Sequence, residues 1–193
     1  GKLMRVIHLT SVHPWNDNRI FHKECVSLAQ KGFDVFLIAP ATEKKVVNDV
    51  HIIPLSEVKS RLLRILVQPI RLFFKGMQLE GDIYHFHDPE LIPIALFLRL
   101  FRKNVIYDIH EDVSATIMRK KRFNLVQKVL YSIAYKLLEH IAGFIFDHFI
   151  LSDLYKSPRA SATTIIFNYP ILPETINNNN NKDIDLLYLG AVT

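Results

Sequence analysis

One cysteine and only six glycines in 193 residues set the first limits on this chain. Cys25 has no second cysteine with which to close an internal disulfide, so no crosslinked framework supports the fold. A buried, reduced thiol within a helix is expected there, which suits the cytoplasm. No glycine occurs between Leu9 and Lys31. The loop after the first apolar stretch therefore carries neither the dinucleotide fingerprint nor a P-loop, both of which need glycine to let backbone approach phosphate. No paired cysteines mark a zinc site, and no serine stands in a nucleophile elbow. The longest uninterrupted apolar block, Leu91–Leu98, falls well short of the roughly 18 residues of a membrane span. Arg5 and His8 interrupt the first apolar run, so no signal peptide is expected. Basic residues follow apolar helical spacing and do not surround exposed aromatics, so no nucleic-acid partner is expected.

What is present suits a globular domain. Hydrophobic residues make up 49% of the chain and charged residues 22%. The net charge of +5 favours anionic partners, phosphate or a membrane surface, without choosing among them. Short apolar stretches at Met4–Leu9, Asp34–Ala39, Val50–Leu55, Asp82–Phe86, Asn104–Ile109, His148–Leu151 and Thr163–Phe167 read as strands. Between them lie helical segments. The first runs from about Arg19 to Lys31, with Phe21, Cys25 and Leu28 on one face, Asp17 or Asn18 as cap and Gly32 as stop. Glu57 to Leu79 is helical in pattern, and Pro69 predicts a kink or two shorter helices. Asp88-Pro89-Glu90 reads as a helix start, with Asp88 as the cap. Two helical pieces follow Asp112 as far as Ala142. Strands alternating with helices predict an α/β fold, a doubly wound Rossmann-like parallel sheet with helices on both faces. Residues 1–169 form that domain. Pro170 to Asp183, with five consecutive asparagines, reads as a linker, and 184–193 as the first strand of a second domain.

The stretch from Asp82 to Asp112 organises the sheet. Two strands joined by a helix become parallel neighbours through a right-handed crossover, so their carboxyl ends emerge on one edge. One ends at His87-Asp88, the other at His110-Glu111-Asp112. In the common doubly wound order the first strand and the Asp82–Phe86 strand are neighbours at the switch point, where ligands bind. The loop carrying His13, Asn16, Asp17 and Arg19 then comes beside His87 and Asp88. Each residue also has a plainer reading: His110 as a solvated turn, Asp112 as a helix cap, Asp17 and Arg19 as a cap and a first-turn side chain. His85 and His87, two apart on a strand, face the same way; with His110 they allow a metallohydrolase reading, against which a capping Asp88 and a hydrogen-bonded buried histidine weigh more.

Two helical segments are strongly basic. Glu57–Lys75 holds five basic residues against one acid, and Arg119–Glu139 holds six against one. Both interleave them with large apolar residues. Docking on an anionic membrane face and the ordinary solvated side of a packed helix both fit this pattern.

The run Asn16-Asp-Asn-Arg-Ile-Phe-His-Lys-Glu24, with Lys31-Gly32-Phe33-Asp34-Val35 after it, resembles the first helix and second strand of family 4 glycosyltransferases. Asp82-Ile-Tyr-His-Phe-His-Asp-Pro-Glu-Leu91 and Val105-Ile-Tyr-Asp-Ile-His-Glu-Asp112 resemble that family's fourth and fifth strands. Asn168-Tyr-Pro170 and Leu187-Tyr-Leu-Gly190 resemble its hinge and the start of its second domain. The resemblance implies the amino-terminal, acceptor-side half of a two-domain GT-B enzyme, retaining and metal-independent, with no cofactor. A nucleotide-diphosphate sugar would be the donor, held chiefly by the second domain. His110 would match the cleft histidine near the donor sugar, the catalytic candidate. His13, Asn16, Asp17, Arg19, His87, Asp88, Glu111 and Asp112 would serve a saccharide or lipid-linked acceptor. No residue is assigned to a metal. The first loop lacks the Gly-Gly pair of many relatives, so a backbone contact to donor phosphate is not expected from it. A cytoplasmic enzyme of cell-surface polysaccharide synthesis, peripheral on the inner membrane face, is the expected setting, and this chain alone should be inactive. A stand-alone saccharide- or lipid-binding module is the alternative.

Overall fold

The computed structural model describes residues 3–109, 113–121, 123–152 and 162–167, without the side chains of 61 and 62. The strands are β1 (Arg5–Leu9), β2 (Asp34–Pro40), β3 (Lys45–Val47), β4 (Val50–Leu55), β5 (Ile83–Phe86), β6 (Asn104–Ile109), β7 (His148–Leu151) and β8 (Thr163–Ile165). They form one sheet in the order β3-β4-β2-β1-β5-β6-β7-β8. Every pair is parallel except β3 with β4. The order reverses between β1 and β5, which is the expected switch point. The expected linker 170–183 and the strand 184–193 lie outside the described residues.

Helices cover both faces, and the alternation of side chains along each strand sorts the core into two. On one face Ile7, Leu9, Tyr84, Phe86, Val105 and Tyr107 pack against α2 (Arg61–Gln78), α3 (Ile92–Leu100) and α5 (Leu125–Ile145). A short helix α4 (Val113–Arg119) precedes α5. On the other face, α1 sets Ile20, Phe21 and Cys25 on Val35, Leu37, Val50 and Ile52. α1 winds in wide i→i+5 turns over Asn18–Cys25 and continues as an ordinary α-helix over Val26–Gln30. Its Asp17 cap accepts from the Arg19 and Ile20 N–H groups. Cys25 is a buried free thiol, and burial pushes its pKa up.

Three expectations need correction. The short strand β3 went unread; it pairs with β4 through Asn48-Asp49, both in left-handed backbone (φ 50° and 61°), the geometry of a two-residue hairpin. α2 runs unbroken through Pro69 for 18 residues, because the packing of its buried face, Leu72 above all, outweighs a local cost of about 3 kcal/mol. Asp88 occupies the cap position before the 3-10 turn Pro89–Leu91, but its side chain caps nothing. Stronger donors claim it from across the sheet.

Gly81 closes the approach to β5. A Cβ there would stand 2.5 Å from Ile7 Cδ1 and 3.2 Å from Tyr84 Cζ, both fully buried. Gly81→Ala is expected to destabilise by about 1–3 kcal/mol through overpacking, read as a lower urea midpoint with unchanged slope. A neutral result would mean that Ile7 has room to turn away.

Candidate functional site

A cleft of about 380 Å³ opens at the carboxyl ends of β1, β5 and β6. Its floor and wall are apolar, from Tyr107, Ile109, Val113 and Ile117. Its polar groups are His13, His87, Asp88 and Glu90 from the strand ends, Arg64 from α2, and Thr116 and Lys120 at α4. Few convergent polar groups over an apolar floor, at a switch point, make the usual setting for a small-molecule site.

Asp88 ties the two sides of the switch point together. Its Oδ2 accepts from the Thr10 hydroxyl (2.7 Å) and the Ser11 backbone N–H (2.7 Å), while Oδ1 lies 3.0 Å from His13 Nδ1. Burial alone would raise its pKa, but the hydrogen bond and charge of His13, with Thr10 and Ser11, together hold the carboxyl below its ordinary 3.8. The Ser11 hydroxyl donates onward to Glu90 at 2.6 Å, and Arg64 Nε stands 3.6 Å from the same oxygen. Asp88→Asn is expected to cost about 1–3 kcal/mol at neutral pH, the range for an unsatisfied buried group. The sign of the pH dependence follows from the lowered folded pKa. The stabilisation is complete above the unfolded value and is lost as pH falls through the folded one. Urea unfolding of the two proteins should therefore converge in strong acid; a difference that persists there would assign the effect to shape instead of charge.

Behind the cleft, on the α1 face of the sheet, lies a buried polar layer. Arg19 grips Asp108 with two bonds, Nε to Oδ2 at 3.2 Å and Nη2 to Oδ1 at 3.0 Å, and gives Nη1 to the Ile166 carbonyl. Arg19 Nε also lies 3.0 Å from Glu24 Oε1. His8, His85 and His87 stack beneath, with ring centroids 4.5–5.3 Å apart. Burial first, then the nearby Asp108, pushes the Glu24 pKa up; burial first, then His87, pushes the His8 pKa down. The wide winding of α1 accounts for the arrangement. In i→i+5 turns, residues five apart share a face, so Arg19 and Glu24 both turn toward the sheet.

Of the residues singled out from sequence, His13, His87 and Asp88 line the cleft. Asn16 is exposed on the loop. Asp17 is engaged as a helix cap and Arg19 as the partner of Asp108, and neither reaches the cleft. His110, Glu111 and Asp112 lie outside the described residues. Sequence reading missed Glu90, Arg64 and Lys120 as cleft residues, the last two having been counted in the basic helical segments. It also missed His8, Glu24 and Asp108; no local pattern announces a charge pair formed between positions 19 and 108.

A scan against protein-family models and a search of curated proteins return no match. Among solved structures the chain is similar to sucrose-phosphate synthase from Thermosynechococcus elongatus, with a TM-score of 0.61 and 13% identity over 86% of this chain and 48% of that one. A second structure of the same synthase gives a TM-score of 0.55 and 12% identity, over 86% of this chain and 88% of that one. The chain thus spans about half the length of the first of these. Sucrose-phosphate synthase is a GT-B glycosyltransferase, and at this identity the likeness concerns architecture: the chain has a doubly wound α/β fold similar to part of that enzyme.

Proposed function

We propose that this chain is the acceptor-side half of a retaining glycosyltransferase, which moves a sugar from a nucleotide-diphosphate donor to a saccharide or lipid-linked acceptor. The observation that carries the reading is the position of the cleft, at the switch point of a sheet built like that of a sugar-transferring enzyme. His13, Asp88 and Glu90 offer acceptors and donors for sugar hydroxyls. Arg64 and Lys120 add two cations to the same cleft, which suits an acceptor carrying an acidic or phosphate group. In this reading the donor belongs chiefly to a second domain, and His110 is the residue proposed to act at the donor sugar.

The setting we propose is the cytoplasmic face of a membrane, in surface polysaccharide synthesis. Among the described residues no helix is long and apolar enough to cross a membrane. Yet α2 exposes Leu63, Leu66, Ile70 and Phe74, and α5 exposes Leu130, Ile133, Leu137 and Phe144. Lys59, Arg71, Lys128 and Lys136 accompany them. Large apolar side chains beside lysine and arginine favour an anionic lipid surface over a neutral one. Sedimentation with vesicles should then show binding to phosphatidylglycerol and little to phosphatidylcholine. Equal binding to both would leave only the apolar term.

Calorimetry with a panel of nucleotide sugars tests the main reading, on this chain and on a product that also carries the donor-side domain. Binding and turnover by the longer product alone are expected. Tight donor binding by this chain alone would overturn the division of labour, and no binding by either would remove the glycosyltransferase reading. With an active product, Arg64→Gln should raise the acceptor KM by about tenfold or more, one charge-assisted hydrogen bond.

A further inference from the structure

Three imidazoles and one carboxylate from three elements meet beneath α1. His8 comes from β1, His85 and His87 from β5, and Glu24 from α1. Their side chains are 0%, 5%, 0% and 13% exposed. His8 Nδ1 lies 3.0 Å from His87 Nε2. Glu24 Oε2 lies 3.9 Å from His8 Nδ1, 3.8 Å from His85 Nε2 and 3.9 Å from His87 Nε2. One ligand atom from each residue falls within 4.8 Å of all the others. A tetrahedral cation with bonds of about 2.0–2.1 Å needs its ligand atoms about 3.3 Å apart. These separations bracket that value, so small side-chain shifts would close the site.

The surroundings favour the same arrangement. His87 turns Nδ1 to Asp108 Oδ2 at 3.3 Å, the carboxylate–histidine contact that fixes a ligating imidazole with its other nitrogen toward the metal. Arg19 holds Glu24 by Oε1. That leaves Oε2 toward the imidazoles, 3.8–3.9 Å from each of the three.

We propose that His8, Glu24, His85 and His87 form a structural site for a first-row divalent cation of the zinc class, stapling α1 to β1 and β5 behind the cleft. Four protein ligands leave no open position, so the site holds structure and performs no chemistry. Imidazole with one carboxylate suits zinc and its neighbours better than calcium or magnesium. His87 also borders the cleft, but the metal proposal does not depend on the sugar-transfer reading and stands or falls without it.

Cobalt(II) and zinc(II) are the probes, added to protein first stripped by chelator. One equivalent of cobalt should give visible bands of tetrahedral intensity, and zinc should displace it. Glu24→Gln and His85→Gln should each weaken zinc binding by more than the roughly 10–100-fold of a contact outside the ligand set. His51→Gln, at a half-buried histidine on β4 outside the cluster, should leave binding unchanged. If the ligand variants fail to fold, X-ray absorption of the wild-type zinc complex decides: three imidazoles and one oxygen support the site, and a mainly water shell overturns it. Weak, non-stoichiometric cobalt spectra would also overturn it, as would zinc affinity unchanged by Glu24→Gln.

Discussion

Replacing Arg19 with methionine is expected to lower the unfolding free energy by about 3–5 kcal/mol, the usual cost of leaving one half of a buried ion pair behind. Asp108 has no exposed surface, and its strongest contact is the two-bond grip of Arg19. The guanidinium also holds the backbone beyond β8 through Ile166, so its loss loosens α1, β6 and β8 together. Asp108→Asn should cost less, because Arg19 keeps a second carboxyl within reach: Glu24 Oε1, at 3.0 Å. Burial and, after it, the charge of Asp108 push the Glu24 pKa up; with Asp108 neutral the second of these is removed, and Glu24 serves more readily as counter-charge. The double variant should therefore cost clearly less than the sum of the two. Urea denaturation of the four proteins at one pH gives the comparison. If Asp108→Asn proves as costly as Arg19→Met, Glu24 does not step in, and the layer depends on the Arg19–Asp108 pair alone.

Phe86→Ala should be about as damaging, at about 3–5 kcal/mol. Phe86 lies on β5 with its ring stacked on Tyr107 at 4.4 Å and edge-on to Phe146 at 5.4 Å. It is 1% exposed, and its neighbours on β6 and β7 are equally enclosed, so the space it leaves cannot fill from solvent side chains. The effect should reach the cleft as well, since Tyr107 is both the ring that Phe86 supports and part of the cleft floor. Thermal unfolding would show the loss of stability. A cost below about 1.5 kcal/mol would mean that Tyr107 and Phe146 collapse into the gap.

Much of the fold was legible because buried parallel strands are written as short apolar runs, and seven of the eight announce themselves that way. The switch point followed from topology rules, once Asp82–Phe86 and Asn104–Ile109 were taken as consecutive parallel strands. What escaped was decided by partners far along the chain. Lys45–Val47 is too short to show a period, although Asn48-Asp49 between β-branched residues was a usable hairpin signal. Asp88-Pro89-Glu90 has every local mark of a capped helix, but Thr10 and Ser11 offer that carboxylate better donors than the helix does. Arg19 reads as a first-turn side chain or an acceptor contact and Glu24 draws no reading of its own, because a period of 3.6 does not bring residues five apart onto one face, as the wider winding does. The cleft was placed by its strand ends, whereas Arg64 and Lys120 arrive on helices whose basic residues looked alike in sequence.

That wider winding makes α1 sensitive to length in a way its composition does not show. A helix that fits one extra residue into a fixed span loses its register when a residue is deleted, and regains ordinary winding at the same moment. Deleting one position between Asp17 and Glu24 would leave a helix of normal propensity and similar amphipathicity. The shortened helix would nonetheless swing either the guanidinium or the carboxyl away from the sheet. Over this stretch substitutions that keep the count should be borne more readily than any change in the count itself, so natural or engineered variants would be expected to differ here in letters and agree in number.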